Sequence, residues 1–275
     1  MTQVPNIRLN NGVEIPPFGF GVFQVPPEET EQAVRDALDA GYRHIDTAQM
    51  YQNEEGVGRA LAESGLARDE VFLTTKLNND NHGHDAALRA LDGSLTKLGV
   101  DHVDLFLIHW PRPEDGRYVE TWRALEKIVA EGKSRSIGVS NFTIEHLERL
   151  AAETGTVPAV NQIELHPRFP QDELRRYHAD HGIATEAWSP IGQGGDLLQD
   201  PTLGTLAERY GKTPAQVVLR WHVQLGNIVF PKSMRPERMR ENIDVFDFEL
   251  SDDDMQAVSG LDTGTRMGPD PDEFG

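Results

Sequence analysis

Val103-Asp104-Leu105-Phe106-Leu107-Ile108 runs directly into His109-Trp110-Pro111, and this stretch decides the fold. A short apolar run without alternation reads as a strand buried on both faces, the pattern of a parallel sheet covered by helices. The flanks agree. Upstream, Ala86 to Leu98 places Ala87, Leu88, Leu91, Leu95 and Leu98 at helical spacing; downstream, Tyr118 to Ala130 is helical and Ser134 to Val139 is again strand-like. Extended in both directions, the alternation yields eight strands: Gly19 to Phe23, Tyr42 to Ile45, Val71 to Thr75, Val103 to Ile108, Ser134 to Val139, Ala159 to Ile163, Ala184 to Trp188 and Ile228 to Phe230. Helices are expected at Glu28 to Ala40, Thr143 to Ala152 with Thr143 as N-cap, Asp172 to Asp180, Thr202 to Tyr210, and from Pro214 to Val223, where proline suits the first turn. Eight β–α units in one chain of 275 residues predict an α/β fold of the (β/α)8 TIM barrel type, one domain over 1–275. Residues 6–15, centred on Asn10-Asn11-Gly12, read as a hairpin preceding the barrel. The competing architecture, a doubly wound open sheet, normally carries GxGxxG after its first strand, and no such motif occurs.

Composition narrows the function. There is no cysteine, so disulfides, thiolate nucleophiles and Cys-based metal sites are all excluded. The formal net charge of −19 disfavours nucleic acid and anionic membranes as partners. No apolar run is long enough to span a bilayer, and the N-terminal stretch lacks the pattern of a signal peptide, so a cytoplasmic location is expected. The acidic surface reads either as a solubility device or as salt adaptation. Against that background a local basic cluster is informative.

In a barrel of this kind chemistry sits at the C-terminal ends of the strands. Asp46 closes one strand, Lys76 another, and His109 follows a third; Tyr51 lies five residues beyond Asp46. Each has an ordinary reading when taken alone: an ion pair or cap for Asp46, a half-buried aromatic for Tyr51, a solvent-reaching charge for Lys76, a core imidazole for His109. Together they suit proton transfer to a carbonyl. An ammonium beside a tyrosine stabilises the tyrosinate and is expected to lower its pKa from ~10. A carboxylate supplies the counter-charge for a buried lysine. A neutral imidazole can donate a hydrogen bond to the substrate oxygen. The two histidines of Asn81-His82-Gly83-His84 lack a third ligand and are not read as a metal site.

At these residues the chain resembles the aldo-keto reductases. The resemblance rests on Gly41-Tyr42-Arg43-His44-Ile45-Asp46-Thr47-Ala48, Asn53-Glu54-Glu55-Gly56-Val57-Gly58, Thr75-Lys76-Leu77, Leu107-Ile108-His109-Trp110-Pro111, Ser136-Ile137-Gly138-Val139-Ser140-Asn141-Phe142, Asn161-Gln162-Ile163-Glu164-Leu165-His166-Pro167 and Pro231-Lys232-Ser233. It runs from about residue 6 to 262. Trp188-Ser189-Pro190 and Asp244-Val245-Phe246-Asp247-Phe248 make it most similar to the prokaryotic branch that includes 2,5-diketo-D-gluconic acid reductase. The resemblance implies Tyr51 as general acid, tuned by Lys76 and Asp46, with His109 orienting the carbonyl, no metal, and a monomer. It also implies a nicotinamide cofactor. Ser140, Asn141 and Gln162 would hold its carboxamide, Trp188 would stack on the ring, and Ser189, Pro190, Ile191, Gly192 and Gln193 would follow the pyrophosphate. Gly21, Val22 and Asp46 complete the nicotinamide side, and Glu241 and Asn242 the adenosine end. Lys232, Ser233, Arg235 and Arg238 form a compact basic cluster suited to a 2′-phosphate, which predicts NADPH rather than NADH and reduction as the direction.

Phe23, Met50, Tyr51, Asn78, His109 and Trp110 are expected at the substrate mouth. Many family members carry tryptophan where Asn78 stands, so a more polar rim is expected. The stretch after Leu261 is short, which predicts an open pocket for small polar carbonyls such as keto-sugar acids, methylglyoxal or short aldehydes. Two other readings are weighed: a cofactor-sensing member without catalysis, against which all four catalytic residue types speak, and a phosphate-handling barrel with Lys76 as a Schiff base, which leaves Tyr51 without a role.

Overall fold

A computed structural model describes residues 5–274. Two short strands, β1 (Ile7–Arg8) and β2 (Glu14–Ile15), pair antiparallel as the expected hairpin. Eight strands follow in one parallel sheet whose spatial order is the chain order: β3 (Phe20–Gly21), β4 (His44–Asp46), β5 (Phe72–Leu77), β6 (Val103–Ile108), β7 (Ser134–Ser140), β8 (Val160–Glu164), β9 (Ala184–Trp188) and β10 (Ile228–Val229). A parallel bridge between Phe18 and Val229 joins the last strand to the first. It is held by Gly19 N–H on the Val229 carbonyl at 2.9 Å and Val229 N–H on the Pro17 carbonyl at 3.0 Å. The sheet is thus closed into the (β/α)8 barrel.

Helices α1 (Pro27–Asp39), α2 (Glu54–Glu63), α3 (His84–Leu98), α4 (Tyr118–Ala130), α5 (Ile144–Glu153) and α6 (Asp172–His181) each follow a strand. Between β9 and β10 lie two helices, α7 (Pro201–Tyr210) and α8 (Pro214–Gln224), each with proline in its first turn. After β10 come α9 (Pro236–Ile243) and α10 (Asp252–Ser259); α9 packs on α1 and α8, and α10 on α7 and α8.

The alternation within β6 explains the two cores. Phe106 and Ile108 face outward into the large sheet–helix layer. Leu105 and Leu107 face inward, where they meet Phe72, Val160, Ile228 and Phe230. Ile15 and Leu9 of the hairpin segment join this inner cluster and plug the N-terminal end of the barrel with apolar side chains. The lower interior is mainly apolar, interrupted by His44, which bonds to the Pro16 carbonyl and Thr74 Oγ1 and packs on Phe72 and Phe230; the inward carboxylates and lysine lie in the upper layer.

Candidate active site

Strand register brings the upper layer together. Lys76 lies opposite Leu107, and Asp46 opposite Thr74, so both follow the inward parity of Leu105 and Leu107. Gln162 on β8 is paired with Glu186 on β9, which in turn is paired with Ile228. Asp46, Lys76, Gln162 and Glu186 thus form one inward-facing polar ring above the apolar floor.

Lys76 has no solvent exposure. Its Nζ donates to Asp46 Oδ1 at 2.6 Å, to the Thr47 carbonyl at 3.1 Å and to Tyr51 Oη at 3.4 Å. Burial works against its charge, but Asp46 and Tyr51 more than compensate and its pKa lies above the ordinary lysine value. Asp46 uses its other oxygen to accept from Gln162 Nε2 at 2.9 Å. Tyr51 is half-buried in a short 3₁₀ turn after β4. Burial pushes its phenol above the ordinary value, and the Lys76 ammonium offsets this only in part. The lowering expected from the sequence is therefore outweighed by desolvation. His109, buried just past β6, packs edge-on to Tyr51 with ring centroids 5.6 Å apart. Burial and the nearby Lys76 charge hold its pKa well below the ordinary imidazole value, so it is neutral.

Above this ring opens a cavity of about 740 Å³. One end is walled by Tyr51, His109, Phe23, Met50, Trp110 and Phe274. The other carries Lys232, Ser233, Arg235 and Arg238. Among the described residues none of these three cations has a carboxylate within ion-pair reach; the one hydrogen bond made by Lys232 is to the Gln24 carbonyl at 3.5 Å. The middle is irregular backbone. Gln24, Asn141, Ser189 and Gln193 all line the cavity and all hold positive φ of +51° to +63°, a local strain that side chains rarely adopt. Asn141 is fixed by three bonds: its Nδ2 donates to the His109 carbonyl at 3.0 Å and to Ser140 Oγ at 3.1 Å, and its Oδ1 accepts from Trp188 Nε1 at 2.8 Å.

The model of the Aldo/keto reductase family matches residues 18–263. This chain belongs to that family. An aldo-keto reductase of Mycolicibacterium smegmatis is 59% identical over 270 residues, 98% of each chain. A methylglyoxal reductase DkgA from Yersinia pestis is 52% identical over 276 residues, covering 100% of this chain and 99% of that one, in line with the expected prokaryotic branch. The crystal structure of a Gox0644 mutant in complex with NADPH superposes with a TM-score of 0.95 at 49% identity, covering 99% of this chain and 100% of that chain.

Most residues that the family resemblance singled out do meet at the cavity. Gly21, Phe23, Asp46, Met50, Tyr51, His109, Trp110, Ser140, Asn141, Gln162, Trp188, Ser189, Pro190, Ile191, Gln193, Lys232, Ser233, Arg235 and Arg238 line it. Lys76 sits beneath, reaching it through Tyr51. Five others do not line it. Val22 is fully buried in the outer core. Gly192 turns toward Leu197, and Gly194 takes its place on the wall. Asn78 caps the following 3₁₀ turn, its side chain accepting from Asn79 N–H at 2.9 Å. Glu241 accepts from the Thr213 hydroxyl at 2.8 Å at the start of α8, and Asn242 is buried on α9. His82 uses both ring nitrogens, on Thr121 Oγ1 and the Trp110 carbonyl, so it braces the Trp110 wall. Among the described residues no group of three His, Asp or Glu side chains is placed to hold a metal.

The sequence reading missed the tail. It folds back over the cavity instead of leaving it open. Glu164 accepts from the Met267 and Gly268 amides at 2.5 and 2.8 Å. Gly268 lies so close to the Trp188 ring that a Cβ would fall 2.5 Å from it. Phe274 packs on Trp110 with centroids 4.5 Å apart. Glycine followed by proline, with an aromatic six residues on, was the available signal. Glu186 was also missed, although a charged residue inside Ala184–Trp188 was visible in the strand reading.

Proposed function

We propose that this protein reduces aldehyde and ketone carbonyls to alcohols with NADPH, with Tyr51 as the proton donor. The observation that carries this is one cavity with two ends: a buried Asp46–Lys76–Tyr51 chain at one, and a cluster of carboxylate-free cations at the other in a chain of net charge −19. Cations left without partners in so acidic a protein fit an anionic ligand. Lys232, Arg235 and Arg238 with Ser233 suit a phosphate ester, and arginine offers paired donors for it. Trp188, Asn141 and Gln162 would hold the ring end.

Bound NADPH supplies the hydride. Because Lys76 donates to Tyr51 Oη, the phenol's own proton is free to face the cavity. Its raised pKa keeps it protonated near neutrality. His109 Nδ1 is buried without a partner, and an orphaned N–H there would cost more than an orphaned lone pair. The proton therefore belongs on Nε2, which becomes a donor toward the carbonyl oxygen. As the carbonyl carbon is reduced, its oxygen takes the Tyr51 proton, and the Lys76 ammonium stabilises the tyrosinate left behind.

The walls beside Tyr51 and His109 are apolar and largely aromatic, formed by Phe23, Met50, Trp110 and Phe274. Short uncharged carbonyls such as methylglyoxal or simple aldehydes suit such walls better than keto-sugar acids. On the same reading the chain acts as one domain over 1–275, as a monomer, in the cytoplasm; no described helix is long and apolar enough to cross a membrane. The test is loss of reduced-nicotinamide absorbance across a panel of carbonyls, with NADH in parallel. Equal or better kcat/KM with NADH, or no turnover of any carbonyl, would reject it.

A further inference from the structure

We propose that Glu186 is a positioning residue for the cofactor pocket: a buried carboxylic acid that fixes which end of the Gln162 amide meets the bound nicotinamide. The inference rests on the NADPH reading above. Glu186 has no exposure, and its Oε2 accepts from Gln162 Nε2 at 2.8 Å. The same nitrogen donates to Asp46 Oδ2 at 2.9 Å. Both amide hydrogens of Gln162 are therefore directed inward, onto two carboxyl groups. A flipped amide would place its oxygen against those carboxyl oxygens, so the orientation is dictated. Gln162 lines the cavity, and its Oε1 has no protein partner among the described residues. It is presented to the pocket as an acceptor, ready for the N–H of a carboxamide.

Burial favours the neutral acid at Glu186. Two groups carry charge toward it, Asp46 on β4 and Lys76 on β5; β8 brings only the Gln162 amide, and β10 sets Ile228 opposite it. Lys76 is already paired with Asp46 at 2.6 Å, and no cation lies within ion-pair distance of Glu186 among the described residues. Burial, together with Asp46, pushes its pKa up to about 8. With Oε2 accepting from Gln162, the proton resides on Oε1, which makes no other contact. Ionisation above that pH would add a second negative charge to the ring. It would favour the cationic oxidised nicotinamide over the neutral reduced one.

Binding of NADP⁺ and NADPH, read by quenching of intrinsic tryptophan fluorescence, tests this in the intact chain without turnover. In the wild type the ratio of Kd for NADP⁺ to Kd for NADPH should fall by about three- to tenfold between about pH 6.5 and about pH 9.5, the phosphates being common to both ligands. Glu186→Gln keeps an acceptor for Gln162 but cannot ionise. It should bind like the wild type at the lower pH and show a flat ratio. Glu186→Leu removes the acceptor and should weaken both nucleotides about five- to tenfold. A ratio that still falls in Glu186→Gln, or wild-type affinity in a folded Glu186→Leu, overturns the inference alone. A wild type that binds neither nucleotide overturns the cofactor reading and this inference with it.

Discussion

Two lysines serve the two ends of one cavity and differ in nearly everything else. Lys76 is sealed in the barrel and holds Asp46, the Thr47 carbonyl and Tyr51. Lys232 is exposed, with one long bond to the Gln24 carbonyl. The electrostatics of the first are settled by folding, before any ligand arrives. On the proposed function, those of the second are settled by the ligand. That reading separates a region that sets proton affinities from one that captures charge, and substitutions at the two ends should fail in different ways.

The largest expected effect is at the buried end. Tyr51→Phe should lower kcat by about 10²- to 10⁴-fold while NADPH affinity stays close to the wild type, as measured by single-turnover kinetics and fluorescence titration. Retained turnover would break the contrast at its centre. Lys76→Met leaves Asp46 buried without its cation, which should cost about 3–5 kcal/mol of stability in urea unfolding; Lys232→Met should leave the unfolding midpoint unchanged.

Acid sharpens the same division. Burial holds His44 and His82 down to about 4, and His178 and His222 to about 3. The unfolded chain binds protons to these groups near pH ~6.5. The folded state therefore keeps their full contribution above that value and loses it as pH falls toward 4 and then 3. By about pH 5 the loss is about 2 kcal/mol per histidine. A stability profile that is flat between about pH 7 and about pH 5 would contradict this burial. The smallest effect belongs to the exposed end. Arg238→Ala should weaken NADPH about ten- to hundredfold, leave kcat at saturating cofactor unchanged, and reduce the salt dependence of binding.

The fold was legible because its strands announce themselves. Val103–Ile108 and Ala184–Trp188 agree at both ends with the sequence reading, and so does helix Tyr118–Ala130. The hairpin was marked by its turn. Helix α10 was not foreseen: Asp252, Asp253 and Asp254 dilute its apolar face, and only packing on α7 and α8 makes it a helix. At the site, Asp46, Lys76 and His109 were readable from their places at strand ends, and Tyr51 from its place five residues past Asp46. The phenol's net shift was not, since burial exceeds what the adjacent ammonium offsets, and burial is a tertiary quantity. Glu186 stayed hidden because strand parity, inward or outward, is set by the register of neighbouring strands. The tail's return to Trp110 and Trp188 is marked locally only by Gly268-Pro269 and Phe274; an irregular segment does not encode where it lands.

The bridge between Phe18 and Val229 has a consequence for how the molecule is assembled and held. Each β–α unit forms from neighbours in the chain, but this seam joins segments near opposite ends of the sequence, so its closure carries the largest loop entropy in the barrel. The cavity lies across it. Gly21, Phe23 and Gln24 rise from one side, and Phe230, Lys232 and Arg235 from the other. A ligand that touches both sides therefore acts as a clasp on the ring. It should slow opening of the seam more than exchange in the helices at the far side of the barrel, a pattern that hydrogen exchange can resolve.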